Sequence, residues 1–303
     1  MMKKITVVIV TYNSERHIYG CLESLFQYND IGDDLEVIVV DNCSKDYEGM
    51  TRNITAHYGD RVQFLQNSKN GGYGQGNNVG IKASTAPIIM IMNPDVRLCE
   101  PLFRTVYSEF DYNKRMAIYG LTQRHENGSL GRSTSWTSRL YPYIAEPLRY
   151  ICGMFNLYWQ RYMYVSGACF FIRKTAFEEI GLFDENIFMY NEEDDIHSRL
   201  IKSGKWKIKY DRGRSYLHLH PVVTNYCEEN YGWLEKNLDS LIYINIRDGI
   251  SREKTIDWSI KRTNISIWSE RIKGLFGKAN KERIDYYKEW RKRQQEMLNG
   301  KIC

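Results

Sequence analysis

The sequence predicts an α/β protein: a mostly parallel sheet with helices on both faces, followed by a helical C-terminal extension. Three observations carry this. Short β-branched runs, "ITVVIV", "LEVIVV", "VQFLQN" and "IIMIM", recur through the first hundred residues, and the segments between them space their apolar residues helically. The runs are apolar almost throughout rather than alternating, the pattern of strands buried on both faces. Beyond residue 225 the pattern is helical only.

The first strand is followed by Ile18, Cys21, Leu22, Leu25 and Phe26 at helical spacing, with Ser14 placed to cap that helix. Its apolar run is too short for a membrane span and polar residues follow at once, so the N-terminus reads as a strand and not a signal peptide. The second strand ends at Asp41-Asn42, and a polar helix is expected near 46–58. After the third strand, "NGGYGQGN" turns into a helix near 76–84, and the fourth strand stops abruptly at Asn93-Pro94-Asp95. A strand is expected over Met116–Gln123, whereas 137–163 is aromatic and irregular and receives no assignment. "YVSGACFFIRK" reads as a strand with small residues at Ser166, Gly167 and Ala168, where a ligand or backbone approaches closely. Glu192, Glu193, Asp194 and Asp195 then open a helix ending at Gly204, and a strand carries His218 and His220 in alternation. The expected domains are 1–225, with a nucleotide-binding half over 1–97 and an acceptor half over 98–225, and the extension 226–303.

Composition bounds the function. With 43% hydrophobic and 14% aromatic residues in 303, the chain has ample material for a core and is not disordered. The net charge of +5 is concentrated at the end: from Ser251 onward fourteen Lys and Arg stand against seven Asp and Glu, interleaved with aromatics. That mixture suits a membrane surface, a solvated helical appendage or a contact between two copies. Seven scattered cysteines without a CxxC pair predict reduced thiols and no disulfide framework.

Thr11-Tyr12-Asn13, Asp41-Asn42 and Asn93-Pro94-Asp95 each end a strand, and in a parallel sheet such ends share the edge where ligands bind. The glycines of 71–76 are in the wrong order for a dinucleotide fingerprint and follow the third strand, and there is no Gly-Lys-Ser/Thr phosphate loop, so an oxidoreductase or P-loop reading is weak. Asp41 either accepts hydrogen bonds from a base or ribose or, with Ser44, caps the following helix. An acid at Asp95 suits a hard divalent cation bridging diphosphate oxygens. The acidic run 192–195 is favoured by the helix dipole, and clustered carboxylates also raise one another's proton affinity, which suits a general base.

These motifs, in this order over roughly residues 3–220, resemble family 2 glycosyltransferases, most closely the rhamnosyltransferase and galactofuranosyltransferase branch. The resemblance implies a Rossmann-like GT-A fold, a nucleoside-diphosphate-sugar donor, Mg²⁺ or Mn²⁺, and inversion at the anomeric carbon. It places Thr11, Tyr12, Asn13, Asp41, Asn42, Asn77, Asn93 and Gly167 around the nucleotide-sugar, and Asp95 and His218 on the metal, with His220 as substitute. Glu193 stands where the family usually has the aspartate base, one methylene longer, so Glu192 or Asp194 is able to share the role. Asp195 and Arg199 either pair with each other or bind substrate phosphate.

The implied acceptor is a saccharide or lipid-linked saccharide of cell-surface polysaccharide synthesis, and the implied location is the cytoplasm at the inner membrane face. Peripheral membrane contact or homodimerisation is assigned to 251–303. Two other readings compete: a non-catalytic nucleotide-sugar binder, because Glu193 departs from the family pattern, and a nucleic-acid binder using the basic tail. The latter leaves Asp95 and the acidic run unexplained, so no nucleic-acid partner is expected.

Overall fold

The computed structural model describes residues 3–219, 229–275 and 280–300. Their elements, in chain order, are β1 (Ile5–Thr11), α1 (Glu15–Gln27), β2 (Leu35–Asp41), α2 (Tyr47–Tyr58), β3 (Gln63–Gln66), α3 (Gly72–Ala83), β4 (Ile88–Met92), β5 (Val96–Leu98), α4 (Phe103–Tyr112), β6 (Met116–Arg124), β7 (Thr134–Trp136), α5 (Pro142–Met154), β8 (Met163–Val165), β9 (Cys169–Arg173), α6 (Lys174–Glu179), α7 (Glu192–Ser203), β10 (Lys207–His218), α8 (Glu229–Arg247), α9 (Arg252–Leu275) and α10 (Lys281–Leu298). They form two compact units, 1–135 with 156–188 and 192–220, and 136–155 with 189–191 and 221–303.

The first unit holds an eight-stranded sheet in the order β3-β2-β1-β4-β9-β6-β10-β5. β3, β2, β1 and β4 are mutually parallel, and β9 is antiparallel to both its neighbours, β4 and β6. β10 runs parallel to β6, and β5 antiparallel to β10. Successive residues feed opposite cores, as the period of two requires. Ile5, Val7 and Ile9 of β1 pack under α1, α2 and α4, whereas Val8 packs under α3, α6 and α7. Gly76 of α3 lies against Val10 and Asn42 and Gly80 against Val8 and Val40, where a Cβ would collide, so these two glycines serve close helix–sheet packing.

β5 follows β4 after three residues yet lies four strands away in the sheet order. Four strand spacings amount to about 19 Å, and four residue steps reach at most about 14 Å, so the sheet curls back on itself here. The curl brings the Asn93-Pro94-Asp95 turn to the end of β10, where His218 pairs with Val96 and the Leu219 N–H donates to the Asp95 carbonyl at 2.9 Å.

In the second unit α8, α9 and α10 enclose Tyr231, Leu238, Ile242, Ile256 and Trp290. Buried Gln294 accepts from Thr263 Oγ1 at 3.0 Å and donates to Ser259 Oγ at 2.7 Å, tying α10 to α9. α5, within the stretch left unassigned from sequence, belongs to this unit and not to the 1–225 domain expected. Arg262 of α9 donates to the Ser138 carbonyl at 2.9 Å, and the Tyr141 and Trp258 rings meet edge to face at 6.3 Å. Ser14 sits at the N-cap of α1, but its hydroxyl bonds the Tyr12 backbone instead of capping.

Candidate active site

The carboxyl edge of the parallel strands gathers the polar residues the sequence singles out. Thr11 and Asp41 end β1 and β2 in direct register, and the Asn42 N–H donates to the Thr11 carbonyl at 2.8 Å. Because β9 is antiparallel, its amino end arrives at this same edge: the Asn93 N–H donates to the Ala168 carbonyl at 2.8 Å. Gly167 therefore stands next to the turn that carries Asp95.

Asp95 Oδ1 and His218 Nε2 lie 3.3 Å apart, with side chains 22% and 11% exposed. Neither is sealed in the core. Arg97 braces the turn from below, donating to the Pro94 carbonyl at 3.1 Å and to the His17 carbonyl at 3.0 Å. A carboxylate and an imidazole at this spacing suit a divalent cation that completes its coordination with diphosphate oxygens and water. Among the described residues no group of three or more His, Cys, Asp or Glu side chains able to hold a metal occurs, and Asp95 and His218 stand as a pair. His220 lies outside the described residues.

Of the three candidate bases, Glu192 and Asp194 are buried at 4% and 1% exposure, while Glu193 is partly exposed. Glu193 Oε1 accepts the Gly167 N–H at 2.9 Å. Burial raises its proton affinity above the ordinary carboxylate value; the hydrogen bonds from its own N–H and from Gly167 oppose this, Asp194 adds to it, and Arg132 offsets part of it. A Cβ at Gly167 would overlap the Glu193 carboxylate, so the small residue makes room for that side chain. Tyr73 fixes the following peptide, its hydroxyl donating to the Gly167 carbonyl at 2.7 Å.

Several expected ligand residues turn out to shape the wall of the site. Asp41 is fully buried, accepting from Thr11 Oγ1 at 3.1 Å and from the Ser44 N–H at 2.9 Å. It does not cap α2, whose N-cap is Asp46; it closes the turn with Ser44 and offers no exposed oxygen to a base. Thr11 is likewise fully buried. Asn42, 2% exposed, donates to the Gly72 carbonyl at 2.9 Å and accepts from Asn67 at 2.7 Å, tying β2 to the start of α3. Asn77 is 1% exposed and donates to the Tyr73 carbonyl at 3.0 Å.

Asp195 and Arg199 pair with each other: Nε and Nη2 both reach Asp195 Oδ2, at 2.9 and 2.5 Å, and Arg199 Nη1 bonds the Ile180 carbonyl. The pairing alternative is the one taken, because Asp195 is fully buried and needs the cation. Tyr12 and Asn13 remain exposed at the edge, Asn13 with φ 49° and its Oδ1 accepting the Lys45 N–H at 3.1 Å.

Sequence reasoning missed Arg132, Tyr73 and Gln123. Arg132 donates to Ser135 Oγ at 2.6 Å and lies near enough to hold down the Glu193 proton affinity, but its segment carries no motif. Tyr73 was visible inside "NGGYGQGN", where the glycines drew the reading toward a turn. Gln123 Oε1 accepts from Ser166 and Tyr216 at 3.3 and 3.2 Å, supporting the small-residue segment.

A curled, mostly parallel sheet with a carboxylate turn at its edge and an acid at the opening of a facing helix is the arrangement of a GT-A glycosyltransferase. Residues 6–181, more than half of the chain, match Glycosyl transferase family 2. The chain belongs to that family and is a glycosyltransferase. It is 26% identical over 239 residues to the low-salt glycan biosynthesis hexosyltransferase Agl10 of Haloferax volcanii, covering 76% of this chain and 72% of that one. It is 27% identical over 244 residues to the N-acetylglucosaminyl-diphospho-decaprenol L-rhamnosyltransferase of Mycobacterium tuberculosis, covering 72% and 76% respectively. In fold it is similar to a mannosyltransferase from Pyrobaculum calidifontis solved with GDP-Man and Mn²⁺, with a TM-score of 0.59 at 14% identity over 98% of this chain and 86% of that one.

Proposed function

We propose that the protein is an inverting transferase that moves a sugar, rhamnose being the first to test, from a nucleoside diphosphate to a hydroxyl of a saccharide or lipid-linked saccharide. The observation that carries this is the Glu193 carboxylate, held on the Gly167 N–H beside the turn that bears Asp95. The rhamnosyltransferase and glycan-biosynthesis names of its relatives support a lipid-linked acceptor and a role in glycan assembly.

Glu193 takes the proton from the acceptor hydroxyl as its oxygen bonds the anomeric carbon. The bond to the diphosphate oxygen breaks on the opposite face, so configuration inverts and the electron pair leaves with the diphosphate. The raised proton affinity of Glu193 strengthens it as a base while the Gly167 N–H fixes its direction. Asp95 and His218 would hold the divalent cation, which when bound neutralises charge developing on the departing diphosphate. Tyr12, Asn13 and the Asn93 turn would line the nucleotide side, and Asp41, Asn42, Asn77 and Thr11 hold that wall in place. The Asp195–Arg199 pair, bonded to the Ile180 carbonyl, anchors α7 to the end of α6.

The test is product stereochemistry. With dTDP-β-L-rhamnose, UDP-N-acetylglucosamine and GDP-mannose offered against a panel of soluble glycosides, proton NMR of the first-formed product should show the anomeric configuration opposite to that of the donor used. A product of retained configuration would exclude Glu193 as base in a single displacement.

A further inference from the structure

The second unit carries a feature that catalysis does not use. Ile144, Pro147, Ile151 and Met154 follow one another along α5 at intervals of three, four and three residues, which places them on one face of the helix. All four are exposed; Ile144, Ile151 and Met154, with Phe155 just beyond, are between 46% and 59% so. The opposite face, with Ala145 buried, is the one turned to α9, and α5 is clamped there by the Arg262 contact to Ser138 and by Tyr141 against Trp258. The apolar face is thus presented outward on a helix whose other side is fixed.

At the root of this face is a cavity of about 450 Å³. Its apolar walls are Tyr143 and Pro147 of α5 with Ile265, Ile267 and Trp268 of α9, and Trp268 is 65% exposed at its mouth. Its polar rim is cationic: Arg271 of α9, Lys288 and Arg291 of α10. Lys288 is shared with Asp285 at 2.8 Å and Arg291 reaches Asn264 at 3.1 Å, while Arg271 is exposed. The surrounding segment from Ser251 holds twice as many basic as acidic residues. An apolar groove of ligand size, an apolar helix face and a cationic rim together match one chemistry, an acyl chain joined to an anionic headgroup. Among the described residues no helix is long and apolar enough to cross a membrane, so contact of this kind would be interfacial.

We propose that α5 and the groove between α5, α9 and α10 form a docking site for an anionic lipid bilayer. Ile144, Ile151, Met154, Phe155 and Trp268 enter the acyl region, and Arg271, Lys288 and Arg291 meet the lipid phosphates. The apolar part of the contact therefore lies on α5, outside the basic segment 251–303 to which the sequence alone assigns it. This inference is independent of the reading of Glu193 and Asp95.

The experiment is flotation and tryptophan fluorescence of the full chain with vesicles of phosphatidylcholine alone and of phosphatidylcholine with 30% phosphatidylglycerol. The anionic vesicles should bind at least about tenfold more tightly than the neutral ones. Brominated acyl chains should quench a fraction of the emission that is missing in Trp268→Phe. Ile151→Asp and Met154→Asp should each weaken binding about tenfold, and Arg271→Glu should do so while flattening the salt dependence. Because all these side chains are exposed, melting temperature and nucleotide response should stay those of the parent, which keeps a folding defect apart from a docking defect.

Equal affinity for neutral and anionic vesicles would overturn the proposal, as would parental binding by the α5 variants. So would an α5 variant that dissociates a dimer while leaving vesicle binding intact, for the face would then join two copies. Competition by duplex DNA without any effect of the α5 variants would assign the cations to nucleic acid and overturn it equally.

Discussion

Gly167→Ala puts the proposed base to a test that leaves Glu193 itself in place. The new methyl group overlaps the position of the Glu193 carboxylate, and either the carboxylate or the backbone must move. The backbone is pinned more heavily: Tyr73 Oη donates to the Gly167 carbonyl, the Asn93 N–H donates to the Ala168 carbonyl, and Cys169 then enters the ladder opposite Met92. The carboxylate is held at Gly167 by one hydrogen bond, worth about 1.5–3 kcal/mol for a charged acceptor, so it should yield. Gly167 does not lie in the left-handed region, so alanine adds no backbone strain and the overlap is the main cost, about 1–3 kcal/mol of overpacking. A displaced general base should lower kcat by about 100- to 10,000-fold. The assay is steady-state release of nucleoside diphosphate, with donor affinity followed separately by thermal shift. Turnover should fall while donor affinity stays within about twofold, and Gly167→Ala combined with Glu193→Gln should be no worse than the worse single variant. Parental kcat in Gly167→Ala would refute the reasoning.

Three further outcomes follow from the geometry of Glu193 and of the Asp195–Arg199 pair. Because burial raises the proton affinity of Glu193, the acid limb of the kcat/KM profile should lie above 4.5, the ordinary value for a glutamate. The folded state then favours the protonated form, so stability should fall as pH rises from that ordinary value through the raised one. Glu193→Gln should accordingly melt higher than the parent at neutral pH, with the gain shrinking in acid; an acid limb at or below 4.5, or no such gain, would contradict this. Asp195→Ala leaves Arg199 without its buried counter-charge and should cost about 3–5 kcal/mol in urea unfolding. Arg199→Met should cost a similar amount, and the double variant clearly less than the sum.

How far the sequence could be read depended on whether its signals were local. Strands buried on both faces need apolar runs, so the parallel β1, β2 and β4 and the antiparallel β9 were readable, and Asn93-Pro94-Asp95 was marked by an abrupt end to such a run. α5 was not readable: its outward face is apolar and its inward face is set by Arg262 and Trp258, more than a hundred residues away. The same distinction divides the site. Asp95 and Glu193 stood out as acids at element ends; Asp95 lies beside His218 and Glu193 on the Gly167 N–H. Whether Asp41 faces a ligand or folds back on Thr11 and Ser44 depends on burial, which no motif encodes, and the structure folds it back. Arg132 acts on Glu193 across a gap of more than sixty residues, and nothing in its neighbourhood announces it.

The account stands most directly on Asp95 at the strand edge. The decisive measurement is the melting temperature of the parent and of Asp95→Ala with UDP, dTDP and GDP, each with and without Mn²⁺. At about one hundred times its dissociation constant, a bound nucleotide adds about 2.7 kcal/mol, which a thermal scan resolves. One nucleotide should stabilise the parent only in the presence of Mn²⁺, and Asp95→Ala should lose that response. If no nucleotide stabilises the parent, or if Asp95→Ala responds as the parent does, the assignment of Asp95 to the metal and diphosphate is contradicted.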